Sequence, residues 1–373
     1  MILHISCDDQ FVRYVDKQFM DDSLSSRLIV CDYKSTPSRA KNAPHMEYIQ
    51  VRSKEFESLK ESLGKFNGVI FHGLFGAWST ELLDAVPSHV KIGWVCWDAE
   101  VFSRYEEELK YQKPLTRIIR RIKRIFSFFK NKCKVKTAYF VPKKYFGKIE
   151  YCLCDMPQEA EAANKCFSTQ LKWLPYNYYS INETIGELRN KRIEGRCVFL
   201  GNCCTYNNNH IDAFLHIHPL IKDRFVITPL SYGDMGLLKY VLFFGRLLLG
   251  NNFVPITQYL SLDEYNSMML SCSVMIMNHG SPAAQGNIIT GLWLGMRVYL
   301  NKNSITYKFF KSLGVHIFSI EDDLNKRNPN ALASLSEDEI IHNQSILDAY
   351  YGDSVTKERV INILKYLNNE NDI

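Results

Sequence analysis

The sequence predicts an α/β fold made of two doubly wound domains that face each other across a cleft. Short apolar runs alternate with helix-length segments through both halves of the chain, which is typical of parallel sheets built from right-handed βαβ units. The 373 residues exceed one ordinary core and fit two domains of roughly 150–200 residues. A polar stretch without apolar periodicity, 175–195, separates the two series.

The first series begins with MILHISC, an apolar strand that runs directly into a polar loop. Each later strand candidate is a similar run of five to seven residues, and segments with helical periodicity fill the intervals. Strands are expected at 1–7, 27–33, 67–72, 90–95 and 150–154, with helices at 52–64, 78–87 and 156–167.

The second series repeats the alternation. After it, 336–368 is expected to form two helices that pack back across the domain boundary. The predicted division is an N-terminal domain at 1–175, a linker at 176–195, a C-terminal domain at 196–335 and the terminal helices at 336–373. Strands are expected at 196–200, 224–229, 252–256, 273–278, 297–300 and 315–319, with helices at 209–221, 235–249, 261–271, 286–295 and 304–312.

Composition narrows the cellular setting. No run of about 18 uncharged apolar residues predicts a membrane-spanning helix, and the first residues lack the pattern of a signal peptide. The eleven cysteines are scattered without a CxxC pair, which favours a reducing, cytoplasmic setting over disulfides or structural zinc.

The net charge of +5 hides a strong local asymmetry. Residues 109–149 contain fourteen lysines and arginines and no acidic residue, so the remainder of the chain carries −9. The protein is therefore mildly acidic apart from one basic segment.

Within that segment, 113–136 has the pattern of an amphipathic helix. Apolar residues fall at helical spacing, whereas basic residues occupy the other face. An anionic membrane surface is the expected partner; a core-facing helix with a solvated basic side is the alternative, and nucleic acid is disfavoured because the aromatic residues group with the aliphatic ones. The apolar positions are Leu115, Ile118, Ile119, Ile122, Ile125, Phe126 and Phe129, and the basic ones include Arg117, Arg120, Arg121, Lys123, Arg124 and Lys130.

Three strand ends in the second half lead into helices through small or amide residues. Gly201-Asn202 follows the first strand, Tyr232-Gly233 follows the next, and the loop from Asn278 to Asn287 follows the fourth. Ligands bind at the carboxyl ends of strands in such sheets, and helix N-termini favour anions such as a diphosphate. Neither GxGxxG nor a P-loop is present, so the loops predict a nucleotide-type pocket of another kind. The paired Cys203 and Cys204 are expected only to fill a turn.

The first half offers candidates for general base work at two strand ends. His72 ends one strand, and Asp98 and Glu100 follow another. A group that accepts a hydroxyl proton near neutral pH must be of this kind. The structural alternatives are a satisfied, half-buried histidine and carboxylates that stabilise the first turn of a helix.

The chain resembles the bacterial TDP-N-acetylfucosamine:lipid II N-acetylfucosaminyltransferases. The matching stretches are VFLGNCCTYNNNHIDAF, the TPLSYG loop, YLSLDEYNSMMLSCSVMIMNHGSPAAQG and LWLGMRVYLNKNS; FHGLFG and WVCWDAE fit the first half. The resemblance is fairly dense over 197–320 and patchy over 65–175. It implies a GT-B fold of two Rossmann-like domains, with the nucleotide sugar held by the C-terminal domain and the acceptor by the N-terminal one.

The resemblance also implies roles for individual residues. Gly201, Asn202 and Asn209 would line the donor pocket, with Tyr232, Gly233 and Gly286 around the nucleotide and diphosphate. His72 and Glu100 would face the acceptor. Where this sequence has Glu100 the family has Asp, and where it has Asp98 the family tends to have Gly, so either carboxylate could be the base. The loop residues Gln285 and Asn287 complete the predicted donor set.

The sequence thus predicts a glycosyltransferase that moves a sugar such as N-acetylfucosamine from a dTDP-linked donor to a polyprenyl-diphosphate-linked saccharide. It would act as a peripheral protein on the inner face of the cytoplasmic membrane. No cofactor or metal is expected, since no strand-flanked DxD motif appears. Two other interpretations stay open: a GT-B transferase of capsule, lipopolysaccharide or protein-glycan synthesis, and a non-catalytic module that binds nucleotide sugars or membranes.

Overall fold

The computed structural model describes residues 1–21, 24–104, 109–129, 140–221 and 223–368, and of 126–129 only the backbone. The chain forms two compact units, each assembled from separate stretches. Unit 1 comprises Met1–Arg104, Lys136–Ser180 and Tyr351–Ile373, and unit 2 comprises Tyr105–Val135 and Ile181–Tyr350.

Unit 1 is built on a seven-stranded sheet in the order β3-β2-β1-β4-β5-β6-β7. Every pairing is parallel, and the central strands are buried along their whole length, as expected of a sheet covered on both faces. The strands are β1 Ile2–Ser6, β2 Ser26–Asp32, β3 Met46–Gln50, β4 Gly68–His72, β5 Lys91–Val95, β6 Tyr151–Cys154 and β7 Lys172–Pro175.

Unit 2 contains a six-stranded sheet in the order β10-β9-β8-β11-β12-β13. It is also parallel throughout. The two parallel α/β sheets confirm the predicted fold class of two doubly wound domains. The strands are β8 Cys197–Leu200, β9 Val226–Pro229, β10 Phe253–Ile256, β11 Cys272–Met277, β12 Arg297–Leu300 and β13 Phe318–Ser319.

Helices connect the strands in both units, with short 3₁₀ turns at Leu63–Lys65, Lys143–Lys148, Gly186–Leu188, Tyr206–Asn208 and Gly250–Asn252. The helices of unit 1 are α1 Val12–Phe19, α2 Lys54–Ser62, α3 Ala77–Ala85, α4 Asp98–Phe102, α6 Pro157–Phe167 and α14 Asp353–Leu367. Those grouped with unit 2 are α5 Pro114–Phe129, α7 Ile181–Ile185, α8 His210–Ile217, α9 Met235–Leu249, α10 Leu262–Leu270, α11 Gln285–Leu294, α12 Ile305–Ser312 and α13 Glu337–Tyr351.

The basic segment belongs to unit 2, although it was predicted as part of the N-terminal domain. Ile119 of α5 is buried in the core cluster of unit 2, and Leu115 packs against that cluster. Asp212 of α8 accepts hydrogen bonds from the backbone N–H groups of Leu115 and Thr116 at 3.0 and 2.9 Å. These contacts hold the start of α5 against unit 2, so this part of the predicted domain boundary is corrected.

Two strands, β3 and β7, and two helices, α1 and α7, were absent from the prediction; α7 lies within the predicted linker at 176–195. The edge strand β3 has no fully buried residue, and β7 has one, Leu174. Such strands lack the continuous apolar run by which the central strands were recognised. The helix α1 lies in a segment that the prediction left unassigned, yet it buries Val12, Val15 and Phe19.

Candidate functional site

The centre of the unit 2 sheet is a topological switch point. β8 and β11 are neighbours. The strands that follow β8 in the chain are added on one side of this pair, and those that follow β11 are added on the other side, so the strand order reverses here. In open parallel sheets, ligands bind outside the carboxyl ends of the strands at such a point. The loops after β8 and β11 contain most of the predicted donor residues.

The loop after β8 begins with Gly201, whose φ of +71° lies in the left-handed region. A Cβ atom there would lie 2.8 Å from both Asn208 Oδ1 and His210 Nε2, so a side chain has no room. Asn208 Oδ1 accepts hydrogen bonds from Asn202 N at 3.0 Å and from His279 Nε2 at 2.9 Å. Asn208 therefore joins the β8 loop to the β11 loop. Asn202, whose backbone N–H bonds to Asn208, is half-buried.

Asn209 joins these loops to the segment that precedes α5. Its Oδ1 accepts from Lys113 N at 2.7 Å, and its Nδ2 donates to Tyr111 O at 3.2 Å and to Asn278 O at 2.9 Å. The side chain is fully buried. Because its polar atoms are hydrogen-bonded within unit 2, Asn209 holds the loops together, and it does not line the cavity.

The loop after β9 is tied to the loop after β8 through a strand-like bridge between Cys204 and Gly233. Cys204 N donates to Tyr232 O at 2.8 Å, and Asp234 N donates to Cys204 O at 2.7 Å. A Cβ on Gly233 would lie 2.3 Å from Cys204 O. Gly233 thus permits the close approach of two loops, and Cys204 is a small buried residue at their junction.

An open cavity of about 330 Å³ lies at the carboxyl ends of β8, β9 and β10. It includes Asn202, Tyr232 and Asn287 from the predicted donor set, and several residues that the prediction missed in the connection from β10 to α10. That connection ends in a capping box of Ser261 and Glu264, a helix-start signal readable from the sequence. The lining residues are Asn202, Pro229, Ser231, Tyr232, Ile256, Gln258, Tyr259, Leu260, Ser261, Leu262, Tyr265, Met268 and Asn287.

The remaining predicted donor residues form the first turn of α11. Gln285, Gly286 and Asn287 are half-buried, and the N-cap residue before them is Ala284, in a left-handed conformation with φ +55°. An alanine side chain cannot accept a hydrogen bond from the first-turn N–H groups, whereas Asp234, Ser261 and Ser304 do so at the starts of α9, α10 and α12. The N-terminus of α11 therefore retains its ability to bind an anion.

Two buried histidines lie beside these loops. Burial lowers the pKa of His279 to about 4 and that of His210 to about 3, with proximity to His279 a further cause for His210. Both imidazoles are therefore neutral at physiological pH. An anion at this edge of the sheet would be held by backbone N–H groups and helix dipoles, without a histidine cation.

In unit 1, Glu100 is a buried carboxylate with three donors. Leu74 N donates to Oε1 at 2.6 Å, Trp97 N donates to Oε2 at 3.0 Å, and Trp94 Nε1 lies 3.1 Å from Oε2. Burial raises its pKa to about 8 against the pull of these donors. The side chain also borders a cavity of about 270 Å³ formed with Leu74, Phe75, Ala99, Ser103, Arg104, Phe140, Val141 and Phe146. Its hydrogen bonds connect the loops after β4 and β5.

Asp98 is the first residue of α4 and has an exposed side chain. Its Oδ1 accepts a hydrogen bond from the adjacent Ala99 N at 2.7 Å. Although the side chain is exposed, desolvation by the surrounding protein raises its pKa to about 6. Asp98 is thus a reachable carboxylate, whereas Glu100 is enclosed.

His72, at the end of β4, is only 1% exposed. Its Nε2 lies 3.1 Å from His4 Nδ1, and its Nδ1 lies 3.3 Å from the Tyr178 hydroxyl. Burial lowers its pKa to about 3. The structure therefore places His72 in an internal hydrogen-bonded network, which argues against direct contact with an acceptor.

The four arginines predicted to face a membrane are not equivalent. Arg117, Arg121 and Arg124 are exposed, but Arg120 is half-buried, and its guanidinium carbon lies 5.1 Å from the centre of the Tyr206 ring. Lys123 is likewise turned toward unit 2, where its Nζ lies 2.6 Å from Asp234 Oδ2. Phe126 and Phe129 of the predicted apolar face and Lys130 of the predicted basic face have side chains outside the described part of the chain.

The described residues lack both a metal-binding cluster and a membrane-spanning helix. They contain no group of three or more His, Cys, Asp or Glu side chains placed to hold a metal ion. In the same part of the chain, no helix is both long and apolar enough to cross a bilayer.

No protein-family model and no functionally curated protein matches this chain. Solved structures do match it along nearly its whole length. The N-terminal domain of Candida albicans trehalose-6-phosphate phosphatase aligns with a TM-score of 0.63 and 10% identity, covering 99% of this chain and 97% of that one. Anabaena Alr3699/HepE in complex with UDP and glucose aligns with 0.59 and 10%, covering 98% and 99%. The lipopolysaccharide outer core galactosyltransferase WaaB aligns with 0.60 and 9%, covering 98% and 99%. At these identities the likeness shows the fold, which is GT-B, with two Rossmann-like units.

Proposed function

We propose that the protein is a GT-B glycosyltransferase that uses a nucleotide-sugar donor. The observation that carries this proposal is the open cavity in unit 2, which contains Asn287 from the first turn of α11 as well as residues from the loops after β8, β9 and β10. A nucleoside fits a cavity lined by aromatic and amide side chains, and a diphosphate fits an adjacent helix N-terminus. Three solved structures of HepE, a protein of this fold, contain UDP, UDP and glucose, or UDP-glucose.

In this proposal, unit 2 stabilises the leaving nucleotide. Negative charge develops on the diphosphate as the glycosidic bond breaks, and fixed N–H donors at the start of α11 lower the energy of that charge. The neutral His279, which hydrogen-bonds to Asn208, would help to keep the loops in place without contributing a full positive charge. The proposal requires no metal for this step.

Unit 1 would supply the base for the acceptor hydroxyl. Asp98 suits this role better than Glu100, because its carboxylate is exposed and its pKa is about 6. It is therefore largely ionised at neutral pH and basic enough to accept a proton in the transition state. Glu100, with three N–H donors around it, would fix the position of the loop that carries Asp98.

The finer assignment rests on the resemblance of residues 197–320 to the TDP-N-acetylfucosamine:lipid II transferases. We propose dTDP as the nucleotide, an acetamido-dideoxyhexose such as N-acetylfucosamine as the sugar, and a polyprenyl-diphosphate-linked saccharide as the acceptor. An acceptor of this kind requires the protein to work as a peripheral protein on the cytoplasmic face of a membrane. The exposed Arg117, Arg121 and Arg124 support that setting.

A nucleotide screen tests the donor proposal. We expect dTDP to raise the melting temperature of the full chain more than UDP or GDP, because a ligand that binds only the native state stabilises it. Asn287→Ala should weaken this stabilisation, whereas Asn330→Ala, an exposed change outside the cavity, should not. The proposal is wrong if none of the three nucleotides stabilises the protein. A stronger response to UDP or GDP would retain the fold-level proposal and reject the dTDP assignment.

Transfer assays separate the remaining candidates. A lipid-linked acceptor with dTDP-sugar should yield a longer lipid-linked glycan, and EDTA should leave the rate unchanged. Product formation only with a capsule, lipopolysaccharide or protein-glycan acceptor would favour the second transferase candidate. Nucleotide binding without transfer to any of these acceptors would favour a non-catalytic binding module.

A further inference from the structure

The helix α5 is held to unit 2 along one side. Leu115 and Ile119 pack at the core of that unit, and Asp212 accepts from Thr116 Oγ1 at 2.7 Å as well as from the two backbone N–H groups at the start of the helix. One turn further on, Lys123 pairs with Asp234 at the start of α9. These attachments determine which side of α5 faces away from the core.

The outward side of α5 combines aliphatic and basic residues. Ile118, Ile122 and Ile125 are 49%, 39% and 55% exposed, and their spacing of four and three residues places them in one row on a helix. An exposed arginine directly precedes each isoleucine, at 117, 121 and 124. The sequence pattern predicted one apolar face and one basic face. The structure instead divides the apolar face between the core and the outer surface, where isoleucines and arginines lie together.

The helix α9 presents a second surface of the same composition. Phe243 and Leu247 are 60% and 64% exposed, and Lys239 and Arg246 are exposed beside them. The inward residues of α5, α8 and α9 share one core cluster on the unit 2 sheet, and α8 packs against both of the other helices. Their exposed residues therefore form the outer surface of one helix layer, here called the α5–α9 surface.

The charge of this surface has one sign. Across the described residues of α5, α8 and α9 the sole carboxylate is Asp212, which bonds to the start of α5. The neighbouring Asp234 pairs with Lys123 and caps α9. Arginine and lysine side chains thus surround the exposed aliphatic and aromatic groups, and both nearby carboxylates are engaged.

We propose that the α5–α9 surface binds an anionic lipid bilayer, so that the unit with the candidate nucleotide cavity docks on the membrane. A bilayer accepts aliphatic side chains below its headgroups and attracts arginine and lysine to them. Nucleic acid would pair with the cations but leave Ile118, Ile122 and Phe243 in water. A second copy of the chain would bring like charges together. A docked protein would reach the lipid-linked acceptor, so the purpose of docking rests on the proposed function. The docking itself can be tested separately, because vesicle binding is measured without any substrate.

Vesicle co-sedimentation of the full chain tests the proposal without nucleotide or acceptor. The wild type should bind vesicles of phosphatidylcholine with about one third phosphatidylglycerol, and bind pure phosphatidylcholine far more weakly. Replacement of the isoleucine row by Ile118→Ser, Ile122→Ser and Ile125→Ser should weaken binding at least about 10-fold, because apolar burial in the bilayer is lost. Phe243→Ser with Leu247→Ser tests the second helix independently and should act in the same direction.

Matched variants separate a local surface from overall charge. Arg117→Gln, Arg121→Gln and Arg124→Gln should weaken binding about 10-fold or more, whereas Lys326→Gln, Arg327→Gln and Lys357→Gln remove the same charge from exposed positions elsewhere and should have little effect. Ile341→Ser, at a residue 54% exposed on α13, is the control for the loss of an exposed isoleucine.

Three results would overturn the proposal: equal loss of vesicle binding in the two charge variants, unchanged binding after both the isoleucine and the Phe243–Leu247 replacements, or a wild-type dimer that the isoleucine replacements dissociate. Vesicle binding by a chain that no nucleotide stabilises would contradict the proposed function and leave the docking surface standing.

Discussion

The two adjacent carboxylates Asp98 and Glu100 should respond to neutralisation in opposite ways. Asp98→Asn changes an exposed side chain whose one described hydrogen bond is to the next residue, so the free energy of unfolding should change by less than about 1 kcal/mol. If Asp98 is the base, the transfer rate should fall about 10²- to 10⁴-fold. The rate of the wild type should also decline as the pH falls through about 6, since the carboxyl group then becomes protonated.

Glu100→Gln should instead lower stability. Leu74 N donates to one carboxylate oxygen and Trp97 N to the other. A glutamine has one oxygen and one NH₂ group, so either orientation of its amide leaves one of these backbone N–H groups facing another donor. An unsatisfied buried donor costs about 1–3 kcal/mol. The variant should therefore unfold at lower urea concentration yet retain activity under conditions where it is fully folded.

Urea unfolding near pH 9 and initial rates measured well below the midpoint of each variant distinguish the two roles. Near pH 9 the wild-type Glu100, with a pKa of about 8, is mostly ionised, so the substitution is compared with the charged state. The assignment is refuted if Asp98→Asn keeps most of the transfer rate while folded Glu100→Gln loses two orders of magnitude. In that case the enclosed carboxylate would be the base, and a movement of its loop would be required to expose it.

Two further predictions concern stability. Burial raises the pKa of Glu159 to about 8 in the folded protein, above the ordinary glutamate value of 4.5. The stability that depends on its proton is therefore complete below about pH 4.5 and lost as the pH rises through 8. In urea titrations at several pH values, the free energy of unfolding should fall less with rising pH in Glu159→Gln than in the wild type. An identical fall would contradict the raised pKa of the buried Glu159. Gly233→Ala should lower the free energy of unfolding by more than about 2 kcal/mol, because its Cβ would lie 2.3 Å from Cys204 O. Gly250→Ala, at positive φ with open space around it, should lower it by only about 1 kcal/mol.

The core of the fold could be predicted from the sequence because its central strands are buried on both faces. β8 reads as an unbroken apolar run and β11 is interrupted only by Ser273, and the helices between strands have clear periodicity. The edge strand β3 reads MEYIQ and keeps every residue at least partly exposed, so its apolar content resembles that of a loop. The placement of α5 was predicted wrongly because a position between two strands of the first sheet says nothing about which core the helix joins. The core that α5 joins is set by its contacts with Asp212 and Asp234, which lie about 100 residues further along the sequence.

The candidate site was predicted at the level of loops and less well at the level of side chains. The sequence shows which residues follow each strand, and the rule for parallel sheets places them at the edge where the unit 2 cavity lies. It does not show which way a side chain points. Asn202 and Asn209 look alike in the sequence, yet Asn202 lines the cavity and Asn209 is buried among Tyr111, Lys113 and Asn278. The same limit applies to Asp98 and Glu100, where two residues of spacing on a short helix separate an exposed carboxylate from an enclosed one.

Asn209 also links two features that the sequence presented as unrelated. The backbone before α5 bonds to Asn209 at Lys113 and Tyr111, and the same amide bonds to Asn278 at the start of the loop that leads to α11. A displacement of α5 would therefore have to break these bonds or move the loops after β8 and β11 with it. If the α5–α9 surface docks on a bilayer, a shift of α5 on docking would be transmitted to the donor loops through the side-chain amide of Asn209. That arrangement gives a physical reason for a basic helix to be inserted between strands of unit 1 and yet to pack on unit 2.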